Sequence, residues 1–171
     1  MRLLTFLSCS FLLFSCSHSH SPALNEKQEV QKIHSILDNW HAAAATADED
    51  TFFGTMTDSA IYLGTDKTER WLRDELKEWS AEYFERDKAW AFTASNREVY
   101  FSKDGRTAWF EELLDTWMGP CRGSGVLSYS NGDWKLEHYN LAVLIDNDDI
   151  QAVIDVTQQP NVPLDSLPDS Q

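Results

Sequence analysis

Apolar residues recur at three- and four-residue spacing between Glu26 and Ala47, where Val30, Ile33, Leu37, Trp40, Ala44 and Ala47 form one stripe. That spacing predicts an amphipathic helix with one buried face. The AAAA run at 42–45 adds strong helix formers that permit close packing. A second short helix should follow, capped by Asp48, with Phe52, Phe53 and Met56 facing inward. Residues 59–64 (SAIYLG) read as a short strand. Asp66 and Glu69 then have the spacing of a capping box, which predicts a helix running to about Phe84 with Leu72, Leu76, Trp79 and Tyr83 as its buried stripe. From Trp90 the period changes to two: WAFTA alternates, and 97–102 continues the strand after a bulge at Ser95-Asn96. Lys103-Asp104-Gly105 is a hairpin turn.

The stretch from Thr107 to Ile145 holds three runs rich in aromatic and aliphatic residues, joined by two turns, and reads as an antiparallel meander. Trp109, Glu111, Arg122, Ser124, His138 and Asn140 fall on one face of it. Centring the first turn on Met118 and Gly119 sets Glu111 opposite Val126 and Asp115 opposite Arg122. A three-residue loop Asn131-Gly132-Asp133 then pairs Ser130 with Trp134, Val126 with His138 and Ser124 with Asn140. Its rival is a two-residue Asn-Gly turn, which brings Glu137 opposite Val126 and turns His138 the other way. The three-residue loop is preferred because it keeps Trp134, Leu136, His138 and Asn140 on the face of Trp109 and Val126. Beyond the sheet, 150–157 is a short amphipathic piece, and Pro160, Pro163 and Pro168 among polar neighbours mark a loose tail.

With 171 residues, 42% of them hydrophobic and seven of them Trp, the chain can bury a core as one domain. The net charge of −14, with basic residues scattered singly, gives nucleic acid little electrostatic reason to bind. Residues 1–15 read as a signal peptide: Arg2 precedes a short apolar run too brief for a spanning helix. Leu13-Phe14-Ser15-Cys16 is similar to a bacterial lipobox, which implies acylation of Cys16, residues 16–25 as a tether, and attachment to the cell envelope through the lipid alone. Cleavage near Ser19 or Ser21, giving a secreted or periplasmic protein, is the alternative. The folded domain is then 26–157, followed by a flexible tail at 158–171. Cys121 is the one cysteine within the domain and reads as a small buried hydrophobe.

Helices covering one face of a bent sheet give an α+β fold: a strongly curved, mixed or antiparallel sheet shaped as a cone and packed against about three N-terminal helices. Several blocks carry a resemblance: WHAAAATADEDTFF, DSAIYLGTDKTERW, WFEELLD, CRGSGVLSY and WKLEHYNLAVLI. In that order they resemble the SnoaL-like branch of the nuclear transport factor 2-like superfamily, over residues 27–156. The resemblance implies a deep cavity and a dimer across the sheet, among relatives that include polyketide cyclases, ketosteroid isomerases and binding modules. The Asp-Tyr-Asp set of the isomerases has no residue-by-residue match here.

Candidate ligand-binding residues are Trp40, His41, Tyr62, Trp71, Trp109, Arg122 and Asn140. Glu111 and His138 are the candidates for proton transfer: an unpaired acid in an apolar cavity would rise in pKa, whereas an Arg122 or His138 partner would hold it down. Glycines 123 and 125 fit tight curvature or closely packed backbone. No phosphate loop, nucleophile elbow, HExxH or CxxC is present, and no cofactor is expected. His41, Glu111 and His138 form the one conceivable metal set, and no metal is expected from it. Three functions compete: binding of a small apolar or aromatic molecule, proton transfer on such a molecule, and a homodimeric scaffold without ligand. Phe110, Tyr129 and Tyr139 are the expected dimer surface. Whether the protein is an enzyme stays open at this point.

Overall fold

The computed structural model describes residues 25–158; the leader with Cys16, most of the tether and all but the first residue of the tail lie outside them. The N-terminal stripe forms α1 (Glu26–Ala45), with Ile33, Leu37, Trp40, Ala43 and Ala44 buried. The backbone then turns through Ala47 at φ 53, and α2 (Glu49–Gly54) begins where Asp48 accepts the Thr51 N–H at 3.1 Å. Phe52 and Phe53 face in as expected.

After β1 (Met56–Leu63) the structure departs from the expected helix. Asp66 accepts from the N–H and hydroxyl of Thr68, and Glu69 accepts the Asp66 N–H at 3.1 Å. These bonds close a turn that leads into β2 (Arg70–Leu72), paired antiparallel with β1. Helix α3 starts only at Arg73 and ends at Phe84, its first turn tied by the Glu75 carboxylate accepting from the Leu72 N–H. Of the expected stripe Leu76 alone is fully buried; Leu72 and Trp79 are exposed.

Strands β3 (Thr93–Phe101), β4 (Thr107–Thr116), β5 (Gly119–Ser130) and β6 (Asp133–Val143) form the long antiparallel part. β1 adds parallel to β6, giving a six-stranded mixed sheet in the order β2-β1-β6-β5-β4-β3. A short α4 (Ile150–Gln158) follows. The α+β class and the mixed sheet with N-terminal helices are as expected, but the strongly curved cone is not. The sheet is open, with β2 and β3 as its two edges, and it is neither closed nor strongly bent.

Gly123 and Gly125 of β5 serve close packing rather than curvature. A Cβ on Gly125 would lie 2.5 Å from the His138 carbonyl oxygen and 2.7 Å from the Phe110 ring. One on Gly123 would meet the Tyr139 hydroxyl at 2.4 Å. Gly125→Ala should therefore destabilise the fold by about 2–3 kcal/mol in urea unfolding, because a backbone oxygen cannot yield as a side chain can. Gly54→Ala, where a Cβ meets nothing within 4 Å, is the matched control. Equal midpoints for the two variants would refute this account.

Both turns of the meander differ from expectation. Trp117 and Met118 form the first loop, Thr116 pairs with Gly119, and Glu111 faces Ser124 while Arg122 faces Leu113. Thr116 fixes this register: its hydroxyl donates to Gly119 O at 2.9 Å and accepts the Met118 N–H at 3.0 Å. The second turn is the two-residue Asn131-Gly132 form, with φ of 55 and 92 and Ser130 opposite Asp133. A bulge then takes Glu137 out of register, so Val126 still faces His138 and Ser124 still faces Asn140. Glu137 accepts instead from the hydroxyls of Ser128 (2.6 Å) and Thr57 (3.0 Å). The bulge reverses the alternation within β6: Trp134 and Leu136 point to the helices, whereas His138 and Asn140 share the outer face with Trp109 and Val126. Phe110 and Tyr139 are buried and Tyr129 is half-buried, so none of the three offers the exposed surface assigned to it.

Candidate functional site

Two features stand on the helix-facing side of the sheet: a pocket at one end and a buried charge cluster behind it. Pocket walls come from short elements that carry rings at helical or strand spacing. Tyr62 on β1 and Trp71 on β2 face each other across a paired register, and Trp79 and Tyr83, four apart on α3, stack at 5.3 Å. Trp71 and Trp79 lie 4.7 Å apart, and Tyr83 leads on to Trp90 at 6.4 Å. The loop before β3 adds Phe92, the β4–β5 turn adds Trp117 and Met118, and Leu76 and Leu141 form apolar floor. The cavity measures about 340 Å³, within the ordinary range for small-molecule sites. Its charged lining residue is Glu69, half-buried beside Gly64. Burial, with the Glu69 charge added, pushes the Tyr62 phenol up, so it stays neutral at physiological pH.

Behind the pocket, Glu112 on β4 is fully buried between α1 and β3. His41 Nε2 lies 2.7 Å from its Oε1, and Arg97 Nε donates to its Oε2 at 2.7 Å. Arg97 also donates through Nη1 to Asp38 Oδ1 (2.8 Å) and to the His34 carbonyl (3.1 Å). Tyr139 donates to Glu112 Oε1 at 3.4 Å. Arg97 reaches inward because a bulge between Ser95 and Glu98, with Asn96 at φ 48, re-aims it toward Glu112. Burial alone would push the Glu112 carboxyl up. The hydrogen bond and charge of His41, with those of Arg97, outweigh it and hold the group below the usual carboxylate range. Burial, with Tyr62 and Glu112 nearby, pushes the Tyr139 phenol well up.

The candidates read from sequence divide three ways. Tyr62 and Trp71 line the pocket. Trp40 and His41 sit in the core behind it, Trp40 against Phe52 (4.9 Å) and Tyr139 (4.7 Å). Trp109, Glu111, Arg122, His138 and Asn140 do share one face, but it is the face turned away from the helices. There Trp109, Glu111, Ser124, Val126 and His138, together with Tyr100, border a second, more open depression of about 400 Å³. His41 is thus separated from Glu111 and His138 by the sheet, and among the described residues no group of three or more His, Cys, Asp and Glu could hold a metal. Cys121 is buried and forms no disulfide among the described residues. Sequence reasoning passed over Glu112, Arg97, Glu69 and the outer pocket rings. The available signal was the density of Trp and Tyr at 71, 79, 83, 90 and 117.

The family comparison agrees with this architecture: the SnoaL-like domain matches residues 33–146, and the chain belongs to that family. The fold is shared with an NTF2-like protein of unknown function from Pseudomonas putida KT2440, at TM-score 0.59 and 12% identity, covering 71% of this chain and 91% of that one. It is shared likewise with a cystatin-like-fold protein of unknown function from Nostoc punctiforme, at TM-score 0.57 and 13% identity over 68% of this chain and 92% of that one. The association domain of C. elegans CaMKII also matches, at TM-score 0.57 and 18% identity, over 69% of this chain and 98% of that one. At these identities the likeness shows the fold alone. No curated protein matches the chain.

Proposed function

We propose that this SnoaL-like protein binds a small, mostly apolar or aromatic molecule in the pocket between α3, β1–β2 and the β4–β5 turn. The observation that carries the reading is a cavity of about 340 Å³ walled by Tyr62, Trp71, Trp79, Tyr83, Trp90 and Phe92. Rings on that scale contribute binding area with few rotamers to freeze. Trp117 stands 83% exposed at the mouth, an unusual position for a Trp with nothing to cover. The leader pattern supports attachment to the bacterial envelope through a lipid on Cys16, with release as a secreted or periplasmic protein as the alternative. No helix among the described residues is long and apolar enough to cross a membrane. Homodimerisation through the outer sheet face would cover the exposed rings of Tyr100 and Trp109, which stack at 5.9 Å.

A binding role is favoured over proton transfer by the state of the acids. Glu112 has both oxygens engaged by cationic or donor partners, which suits structure more than a base awaiting substrate. Glu111 and His138 open onto the outer depression rather than the pocket. Native mass spectrometry of the full chain, purified gently, is expected to show a small mass released on denaturation. Its occupancy should fall at least fivefold in Trp71→Ala, and the same spectra give the subunit number. An empty pocket with no binding of aromatic probes, in a cleanly dimeric protein, would replace this reading with a scaffold role.

A further inference from the structure

Resting on that pocket, we propose that its ligand is an organic cation, an apolar or aromatic amine that is quaternary or fully protonated. The pocket presents Trp71, Trp79, Tyr83 and Trp90 in sequence, successive ring centroids 4.7, 5.3 and 6.4 Å apart. Ring faces carry negative potential, and several rings around one space attract a weakly hydrated cation more than an uncharged group of the same shape. The lining includes one acid, Glu69, and no Lys, Arg or His. No ion pair joins Glu69 to a cation among the described residues, and its one bond, the Asp66 N–H at 3.1 Å, leaves carboxylate capacity for a further partner. Arg86 covers the Tyr83 ring at 4.6 Å but does not line the cavity.

An anionic ligand meets the opposite conditions: a carboxylate in the wall, no cationic side chain in the lining, and a chain of net charge −14. A neutral apolar ligand would fit the volume but gives Glu69 no partner and leaves its charge to be desolvated. Half-exposed Trp79 and fully exposed Trp117 keep the mouth open to solvent, so a charged molecule can enter without crossing packed core.

The test compares benzyltrimethylammonium with neopentylbenzene, its uncharged carbon isostere, and with phenylacetate, by calorimetry and Trp fluorescence on the full chain. The cation should bind at least tenfold tighter than the isostere, and phenylacetate should be weakest. Glu69→Gln, which keeps the acceptor for the Asp66 N–H, should cut the cation affinity about five- to tenfold at low salt and change the isostere less than twofold. Trp79→Leu at a half-exposed position is a second variant and should likewise weaken the cation more than the isostere. Equal or tighter binding of the neutral probe overturns the cation assignment and leaves the pocket as a binding site. No binding of any probe, with a captured mass in native spectra, has the same meaning. No binding and no captured mass removes both readings.

Discussion

Glu112→Gln should lower the stability of the domain by about 3–5 kcal/mol, the scale found when one member of a buried ion pair is removed. The substitution is nearly isosteric, so packing around β4 is retained and the loss comes from charge. Arg97 stays behind with a side chain only 4% exposed, holding Asp38 and a carbonyl but no longer its buried partner. One of its nitrogens, Nη2, is already without a hydrogen-bond partner among the described residues. Urea unfolding followed by circular dichroism checks the figure, and Glu111→Gln, one residue away on the solvent face, should change stability by less than about 0.5 kcal/mol. A joint replacement, Arg97→Met with Glu112→Leu, should recover much of the loss, because it removes the burial cost of both charges together. Near-equal midpoints for Glu112→Gln and the parent would show that the cluster does not hold α1 to the sheet.

The same residue sets part of the acid response. Its folded pKa is depressed by His41 and Arg97 against the opposing effect of burial. The stability it supplies is therefore fully present above its unfolded value, about 4.3. It is lost as pH falls through the lower folded pKa. The parent and Glu112→Gln should differ clearly at pH 5, and the gap should close as pH falls below about 4. A gap that widens below about pH 4 would mean that the carboxyl is not held low.

Apart from β2, element types were legible in the chain, and the facing of the sheet was not. The reason lies in β4 itself, where residues come in like pairs: Trp109-Phe110, Glu111-Glu112, Leu113-Leu114. Either parity presents one aromatic ring, one acid and one leucine, so alternation cannot say which set is buried. Gly125, behind Phe110, decides it, because the Phe110 ring lies where a Cβ would stand. The bulges are the second gap. Ser95-Asn96 was visible as an irregularity, yet that Arg97 would swing to a buried glutamate from another strand depends on tertiary contact. At Glu137 the turn and the distal pairing each followed a different one of the two registers considered, joined by a bulge with no local signature. In α3 the rings at 79 and 83 looked like core at helical spacing, whereas β2 delays the helix and leaves them around a cavity. Tyr62 and Trp71 reach the pocket wall through paired strands, whereas the sequence pattern sets Trp71 on the helix after Asp66.

Trp40 separates core from pocket. Its ring packs on Phe52, Tyr139 and His41 with centroids 4.9, 4.7 and 5.2 Å away, and it is 2% exposed. Trp40→Ala should cost about 3–5 kcal/mol, the lost transfer energy plus a cavity that α1 and α2 cannot close. Trp40→Phe should cost far less than its lost volume suggests, about 1 kcal/mol, because the indole N–H is buried without a partner among the described residues and deleting it removes an unmet desolvation cost. A ring that shapes the pocket wall would behave differently: Trp71→Phe should weaken an aromatic probe while barely moving the unfolding midpoint. Trp40→Phe should do neither beyond its small stability loss. The two variants measured together, for urea midpoint and probe affinity, locate the boundary between core and site. If Trp40→Phe instead abolished binding at unchanged stability, the binding surface would extend past Tyr62 into the space around His41 and Glu112, and the charge cluster would have to be read as part of the site.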